Sequence, residues 1–301
     1  MAMRGTLPDR CGTFTIGGHP VTRLGLGTAQ MSASGVWSHP TDAAEAARVL
    51  RQAVDLGVNL IDIAESSGPF NYEELIAQAL NPYPENLLLM IKGGLLRSPD
   101  GQWEPVPRPS FLRKQIDTRL WYLKLNRIPL FQLHGFSPHA PVADQIGLLT
   151  DMQREGKIGQ IGLAEVTVAE LEEARKFAEI ATVQAEYNLI NRAAEPLLNY
   201  AEEANIGFIP WLPLATGALA SQDGPLAELA RRRSVTPAQL ALAWLLKRSP
   251  AMLPTPGTLS MQHLNDNVSA VDIALTATEV DDLDRSIPRI DRLARSAQYW
   301  R

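Results

Sequence analysis

Cysteine occurs once in these 301 residues, at Cys11, so an internal disulfide is excluded and a reducing compartment is expected. The single thiol lies close to the N-terminus and is expected to be a buried bystander rather than a nucleophile. Long apolar runs are also missing. None approaches the ~20 residues of a membrane-spanning helix, and the opening MAMRGTLPDRCGTFTIGG has no apolar core of a secretory signal. Positive charge is not in surplus, with 28 Lys and Arg against 33 Asp and Glu. The net charge of -5 argues against nucleic acid and anionic membranes as partners. His19, His39 and His139 lack metal-ligand spacing with the cysteine or with paired carboxylates, so no metal site is expected. A small-molecule partner and a cytoplasmic location are the remaining expectations.

What is present is rhythm. Thr13–Ile16 and His19–Thr22 flank Gly17-Gly18, which suits a tight hairpin turn. Short apolar runs then alternate with amphipathic stretches. The runs are Arg23–Thr28, Asn59–Ala64, Leu87–Gly93, Pro129–His134, Ile158–Ala164, Thr182–Tyr187, Gly207–Pro210 and Met252–Thr255. The stretches with helical spacing are Asp42–Leu56, Tyr72–Leu80, Phe111–Leu123, Asp144–Glu155, Val168–Ala178, Glu195–Glu203, Pro237–Lys247 and Met261–Ala270, with Thr276–Asp284 beyond them. No linker or composition break divides residues 1–301. The pattern predicts one α/β domain, a (β/α)8 TIM barrel preceded by a short β-hairpin. A doubly wound sheet would want a glycine-rich turn after its first strand, and Gly25-Leu26-Gly27 does not continue to a third glycine. The tail Arg292–Arg301 either frays or folds over the barrel mouth.

In such barrels the chemistry sits where strands end. Asp62, Lys92 and His134 each close an apolar run (NLID, LLLMIK, PLFQLH), so each is expected to face the mouth. A buried ion pair and a satisfied core histidine would explain any one of them alone. Three at neighbouring strand ends favour a site.

These residues carry a resemblance. GVNLIDIAESSGPFNYEELIAQAL resembles the aldo-keto reductase segment GVNFIDTADxYG…SEELIGEAL, and RLGLGTAQMSASGVW resembles the bacterial branch of that family. The likeness continues through LLLMIKGG, LFQLHG, REGKIGQIGLAEV, VQAEYNL, IPWLPLATG and LPTPGT…HLNDNVSA. The family's Asp, Lys and His fall on Asp62, Lys92 and His134. Its tyrosine, the proton donor, falls on Ser67. A serine hydroxyl is far less acidic than a phenol, whose reference pKa is about 10, and cannot simply inherit that role. Two further departures are Ile63, where the family has threonine, and Ala164, where it has the serine that holds the nicotinamide amide.

The resemblance implies a nicotinamide cofactor, with NADP(H) expected ahead of NAD(H). Gln184 matches the carboxamide ligand, and Trp211 the aromatic that stacks on the nicotinamide. Gly257 and Thr258 open the phosphate loop, with His263, Asp266 and Asn267 on the next helix. The family's common lysine is here Gly257 and its arginine His263, which weakens the hold on a 2′-phosphate. Trp37, Phe70 and Trp103, on loops after the first three strands, are candidates for an apolar substrate pocket. The run Arg231-Arg232-Arg233 reads as a solvated helix end. Two activities are compatible with these residues. One is a reductase of a carbonyl, imine or activated alkene whose proton comes from His134 or from a water held by Ser67 and Lys92. The other is a non-redox dehydratase, isomerase or cyclase that uses Asp62, Lys92 and His134 as acid and base. A non-catalytic nucleotide-binding protein is disfavoured by the retained lysine, which is costly to bury.

Overall fold

The structure is a computed structural model that describes residues 5–31, 42–64, 71–97, 103–106 and 108–289. The strands are β1 (Thr13–Ile16), β2 (His19–Thr22), β3 (Leu26–Gly27), β4 (Leu60–Ile63), β5 (Leu88–Gly93), β6 (Leu95–Arg97), β7 (Trp103–Pro105), β8 (Ile128–His134), β9 (Ile158–Ala164), β10 (Thr182–Glu186) and β11 (Gly207–Trp211). The helices are α1 (Leu7–Cys11), α2 (Ala43–Asp55), α3 (Asn71–Leu80), α4 (Pro109–Leu123), α5 (Val142–Arg154), α6 (Val168–Arg175), α7 (Glu195–Glu203), α8 (Ala227–Arg232), α9 (Pro237–Arg248), α10 (Met261–Ser269) and α11 (Ala277–Ser286). Seven strands form one curled parallel sheet in the order β11-β10-β9-β8-β5-β4-β3. The architecture is a (β/α)8 barrel with an N-terminal hairpin.

The eighth staff of the barrel differs from expectation. Residues 251–257 bridge the two open edges, with Phe208 N donating to Ala251 O and Leu253 N to Phe208 O (both 2.8 Å), and Gly25 N to Pro254 O (2.9 Å). Isolated bridges join Phe208 to Met252 and Gly27 to Gly257, but no ladder forms. The cause is in the chain itself. Pro254 and Pro256 have no N–H, so the side facing β3 loses its alternate donors. The first barrel strand is also shorter than Arg23–Thr28, because Thr22 N–H goes to Asn59 Oδ1 (2.7 Å) and Arg23 N–H to Gly12 O (3.2 Å).

Strand alternation sorts the core. Ile61, Leu89, Ile91, Phe131, Leu163 and Val183 point outward and pack under the helices. Leu60, Leu88, Met90, Leu130, Ile209 and Leu253 point inward, where Phe14, Ile16 and Val21 of the hairpin plug the barrel floor. Helix entry is set by local chemistry. Thr167, Thr236 and Thr276 cap α6, α9 and α11, each with a reciprocal bond from the residue three positions on.

α1, a single turn, and the β6–β7 hairpin were not expected from the sequence, and α8 was expected only as a helix end at Arg231–Arg233; Arg231 and Arg232 are exposed there, whereas Arg233 is half-buried and paired with Glu279. Each is too short to show a period. The base of that hairpin is held by Gln115 of α4, which accepts from Gly94 N (2.9 Å) and donates to Leu95 O (3.1 Å). Cys11 is buried at the end of α1, and burial pushes its thiol up, away from the reactive thiolate.

Candidate active site

Inward positions recur every second residue along a strand, so the apolar floor dictates what stands above it. Over Leu60 comes Asp62, over Leu88 and Met90 comes Lys92, and over Leu130 come Gln132 and His134. Thr182 is followed by Gln184 and Glu186, and Ile209 by Trp211. The lower polar layer is tied by Gln132 Nε2 donating to Thr182 Oγ1 (3.0 Å). Glycine at position 162 is needed there, since a Cβ would lie 2.3 Å from Thr182 Oγ1.

Asp62 is the hub of the next layer. Lys92 Nζ forms a buried ion pair with its Oδ1. Its Oδ2 accepts from Gln184 Nε2 at 2.7 Å and from Thr255 Oγ1 at 3.4 Å. A carboxylate has room for all three donors, and their convergence compensates the desolvation that would otherwise make a buried pair costly. His134 is buried at the end of β8, two residues beyond the Lys92–Gln132 pairing. The structure thus brings Asp62, Lys92 and Gln184 into direct contact and sets His134 at the adjacent strand end.

Trp211 ends β11 half-buried, and its indole N–H donates to Glu165 Oε1. Glu165 follows the last residue of β9 with φ of 57°, and its own N–H donates to Gln184 O at 2.8 Å. Desolvation pushes its carboxyl up to about 8. The Trp211 hydrogen bond opposes that rise and the neighbouring Glu186 carboxylate adds to it. Glu165 and Thr255 were missed in the sequence, although both carry the signal used for the others, a polar side chain where a strand reaches the mouth.

A model of the aldo/keto reductase family matches residues 23–288. The chain belongs to the aldo/keto reductase family. It is 38% identical over 276 residues to an uncharacterized oxidoreductase of Schizosaccharomyces pombe, covering 92% of this chain and 90% of that one. It is 37% identical over 278 residues to pyridoxine 4-dehydrogenase of Escherichia coli, covering 90% and 97%. Among solved structures, an aldo/keto reductase from Klebsiella pneumoniae in complex with NADP and acetate superposes with a TM-score of 0.78 at 25% identity, covering 94% and 98%. The glycerol dehydrogenase of Gluconobacter oxydans shares the fold, with a TM-score of 0.80 at 24% identity, covering 91% and 95%.

The remaining cofactor candidates of this aldo/keto reductase fall on residues 257–267. Gly257 bridges Gly27, and Thr258 Oγ1 accepts from Ser260 N at 3.0 Å. Ser260 caps α10 by accepting from His263 N at 3.3 Å. His263 is exposed, Asp266 half-buried and Asn267 buried. Ser67, Trp37 and Phe70 lie outside the described residues, as does the tail from residue 290. The backbone of Trp103 lies on β7, with its side chain outside the description. Among the described residues, no group of three His, Cys, Asp or Glu is disposed to hold a metal ion. Likewise, no described helix is long and apolar enough to cross a membrane.

Proposed function

We propose that this oxidoreductase binds a nicotinamide dinucleotide at the barrel mouth and reduces a small carbonyl compound, using a proton donor other than a tyrosine. The observation that carries the reading is the Asp62 hub: Lys92 and Gln184 are anchored on one carboxylate, with Trp211 at the neighbouring strand end. The donor set suits the nicotinamide half of such a cofactor. Gln184 spends Nε2 on Asp62, leaving Oε1 to accept from a carboxamide N–H. Glu165 fixes the indole edge of Trp211, so a ring face is held ready for stacking. Ala164 adds no side-chain donor.

A reduced nicotinamide held by Gln184 and Trp211 would supply the hydride. The chain's own residues orient the substrate and handle the charge that forms on its oxygen. Lys92, fixed by Asp62, retains two ammonium N–H groups beyond the ion pair, enough to stabilise a developing alkoxide in a water-poor site. His134, or a water held by Ser67 and Lys92, delivers the proton. NADP(H) is the preferred nucleotide on this reading, supported by the NADP-bound Klebsiella relative. The preference is weak, because Gly257 brings no charge and His263 replaces a fixed cation. Similarity to pyridoxine 4-dehydrogenase makes pyridoxine the first alcohol to assay in the reverse direction.

The test is a titration of NADPH and NADH against the wild-type protein and Trp211→Ala. Loss of the stacking face should weaken NADPH by about 1 kcal/mol or more, roughly fivefold. Equal affinity in the two proteins would remove Trp211 from the site.

A further inference from the structure

In the proposed chemistry Glu165 steadies Trp211, while its acidity takes no part. It sits in left-handed backbone geometry at the end of β9, where a side chain with a Cβ is disfavoured, and its carboxyl is tied to Trp211. Among the described residues, the titratable groups nearest it in the sheet lie at the ends of β10, β8, β5 and β4. Glu186 ends β10 beside it; its carboxylate opposes the ionisation of Glu165, while a hydrogen bond to the Glu186 backbone favours it. His134 ends β8 opposite Ala164, the residue before it. The Lys92–Asp62 pair lies on β5 and β4, beyond β8 in the sheet. Two carboxyl-bearing residues at the ends of β9 and β10, on one side of Trp211 in the sheet, therefore neighbour the indole on which the nicotinamide would stack.

The two redox states of a nicotinamide differ by one charge: the oxidised ring is a cation and the reduced ring is neutral. A carboxylate within contact of Trp211 must discriminate between them, because a full charge in a partly desolvated pocket interacts far more strongly than in water. We infer that Glu165, coupled to Glu186, sets the redox-state preference of the pocket, its ionised form favouring the oxidised ring and its protonated form the reduced ring. This rests on the placement of the nicotinamide over Trp211. The proton balance follows by linkage. Binding of oxidised cofactor expels a proton from Glu165 to solvent, and binding of reduced cofactor retains it. With the Glu165 carboxyl pushed up to about 8, a rise in pH through that value shifts the preference of the pocket from reduced towards oxidised cofactor.

The experiment compares dissociation constants of NADP+ and NADPH by calorimetry between about pH 6.5 and about pH 9, a span bracketing a carboxyl raised this far. Phosphate ionisation is common to both nucleotides and cancels in the ratio. The Kd ratio of NADPH to NADP+ should rise about tenfold or more across that range in the wild-type protein, and stay flat in Glu165→Gln, which keeps an acceptor for Trp211 but no charge. A second measurement needs no variant: NADP+ binding near pH 7, followed in two buffers of different ionisation enthalpy, should release a fraction of a proton. A flat wild-type ratio, a slope that survives in Glu165→Gln, or binding without proton release each overturn the inference while leaving the cofactor site standing. Failure of both nucleotides to bind overturns it together with the proposed function.

Discussion

At the scale of single residues, the Lys92 ammonium is held by Asp62, and the amide of Gln184 leans on the same carboxylate. Breaking a buried pair by removing one partner typically costs ~3–5 kcal/mol, so substitutions at Asp62 or Lys92 confound folding with chemistry. Ser67 offers a cleaner probe, standing where the family motif carries its tyrosine. Ser67→Tyr should restore a phenol among Asp62, Lys92 and His134, and reduction of a generic aldehyde should rise by ~10²-fold or more, the usual contribution of a positioned acid. The native reaction should fall in the same variant, because the phenol fills the space a bulkier substrate or a working water would use. Steady-state kinetics on a simple aldehyde and on the native substrate measure both effects. A variant that binds cofactor but gains no aldehyde activity would mean that Ile63 and Ala164 have moved the site beyond a one-residue rescue.

At the scale of elements, what closes the barrel is close approach of backbone rather than a long ladder. A Cβ on Gly27 would lie 2.6 Å from Thr255 O, and one on Gly25 would lie 2.8 Å from Leu60 O. The glycines of RLGLGT thus serve packing between staves. Gly27→Ala should destabilise by about 1–3 kcal/mol, the range for overpacking a tight site, and should reduce activity as it pushes Thr255 from Asp62. Gly147 in α5 is the contrast, since a Cβ there meets nothing within 4 Å. Gly147→Ala should stabilise by about 0.5–1 kcal/mol. Urea midpoints of the two variants would move in opposite directions; a shared direction would contradict the packing argument.

Elements long enough to show a period were legible in the sequence. The span of β9 and that of α7 agree with the expected ones to the residue, and so do both arms of the N-terminal hairpin. Those that failed did so for local reasons: Pro254 and Pro256 remove donors from the eighth stave, and α1 and β6–β7 are too brief to repeat.

At the scale of the whole molecule, a ligand that binds only the folded barrel must raise its melting temperature. At a hundredfold excess over Kd the gain is about 2.7 kcal/mol, which for a chain of this length corresponds to roughly 4 °C. NADPH should produce that rise in thermal unfolding of the wild-type protein, and a smaller one at equal concentration in Trp211→Ala. An equal rise in both would argue that the nucleotide binds elsewhere. The amino-acid sequence by itself determined the strand and helix rhythm, the absence of disulfides, and which polar side chains stand above each apolar strand, because these depend on neighbours two to four positions away. It could not determine that Asp62 receives Gln184 from 122 residues away and Thr255 from 193, or that Trp211 binds Glu165 across 46. Those pairings exist only once the sheet has curled and closed. Closure is a property of eight staves at once, and no window of sequence contains it.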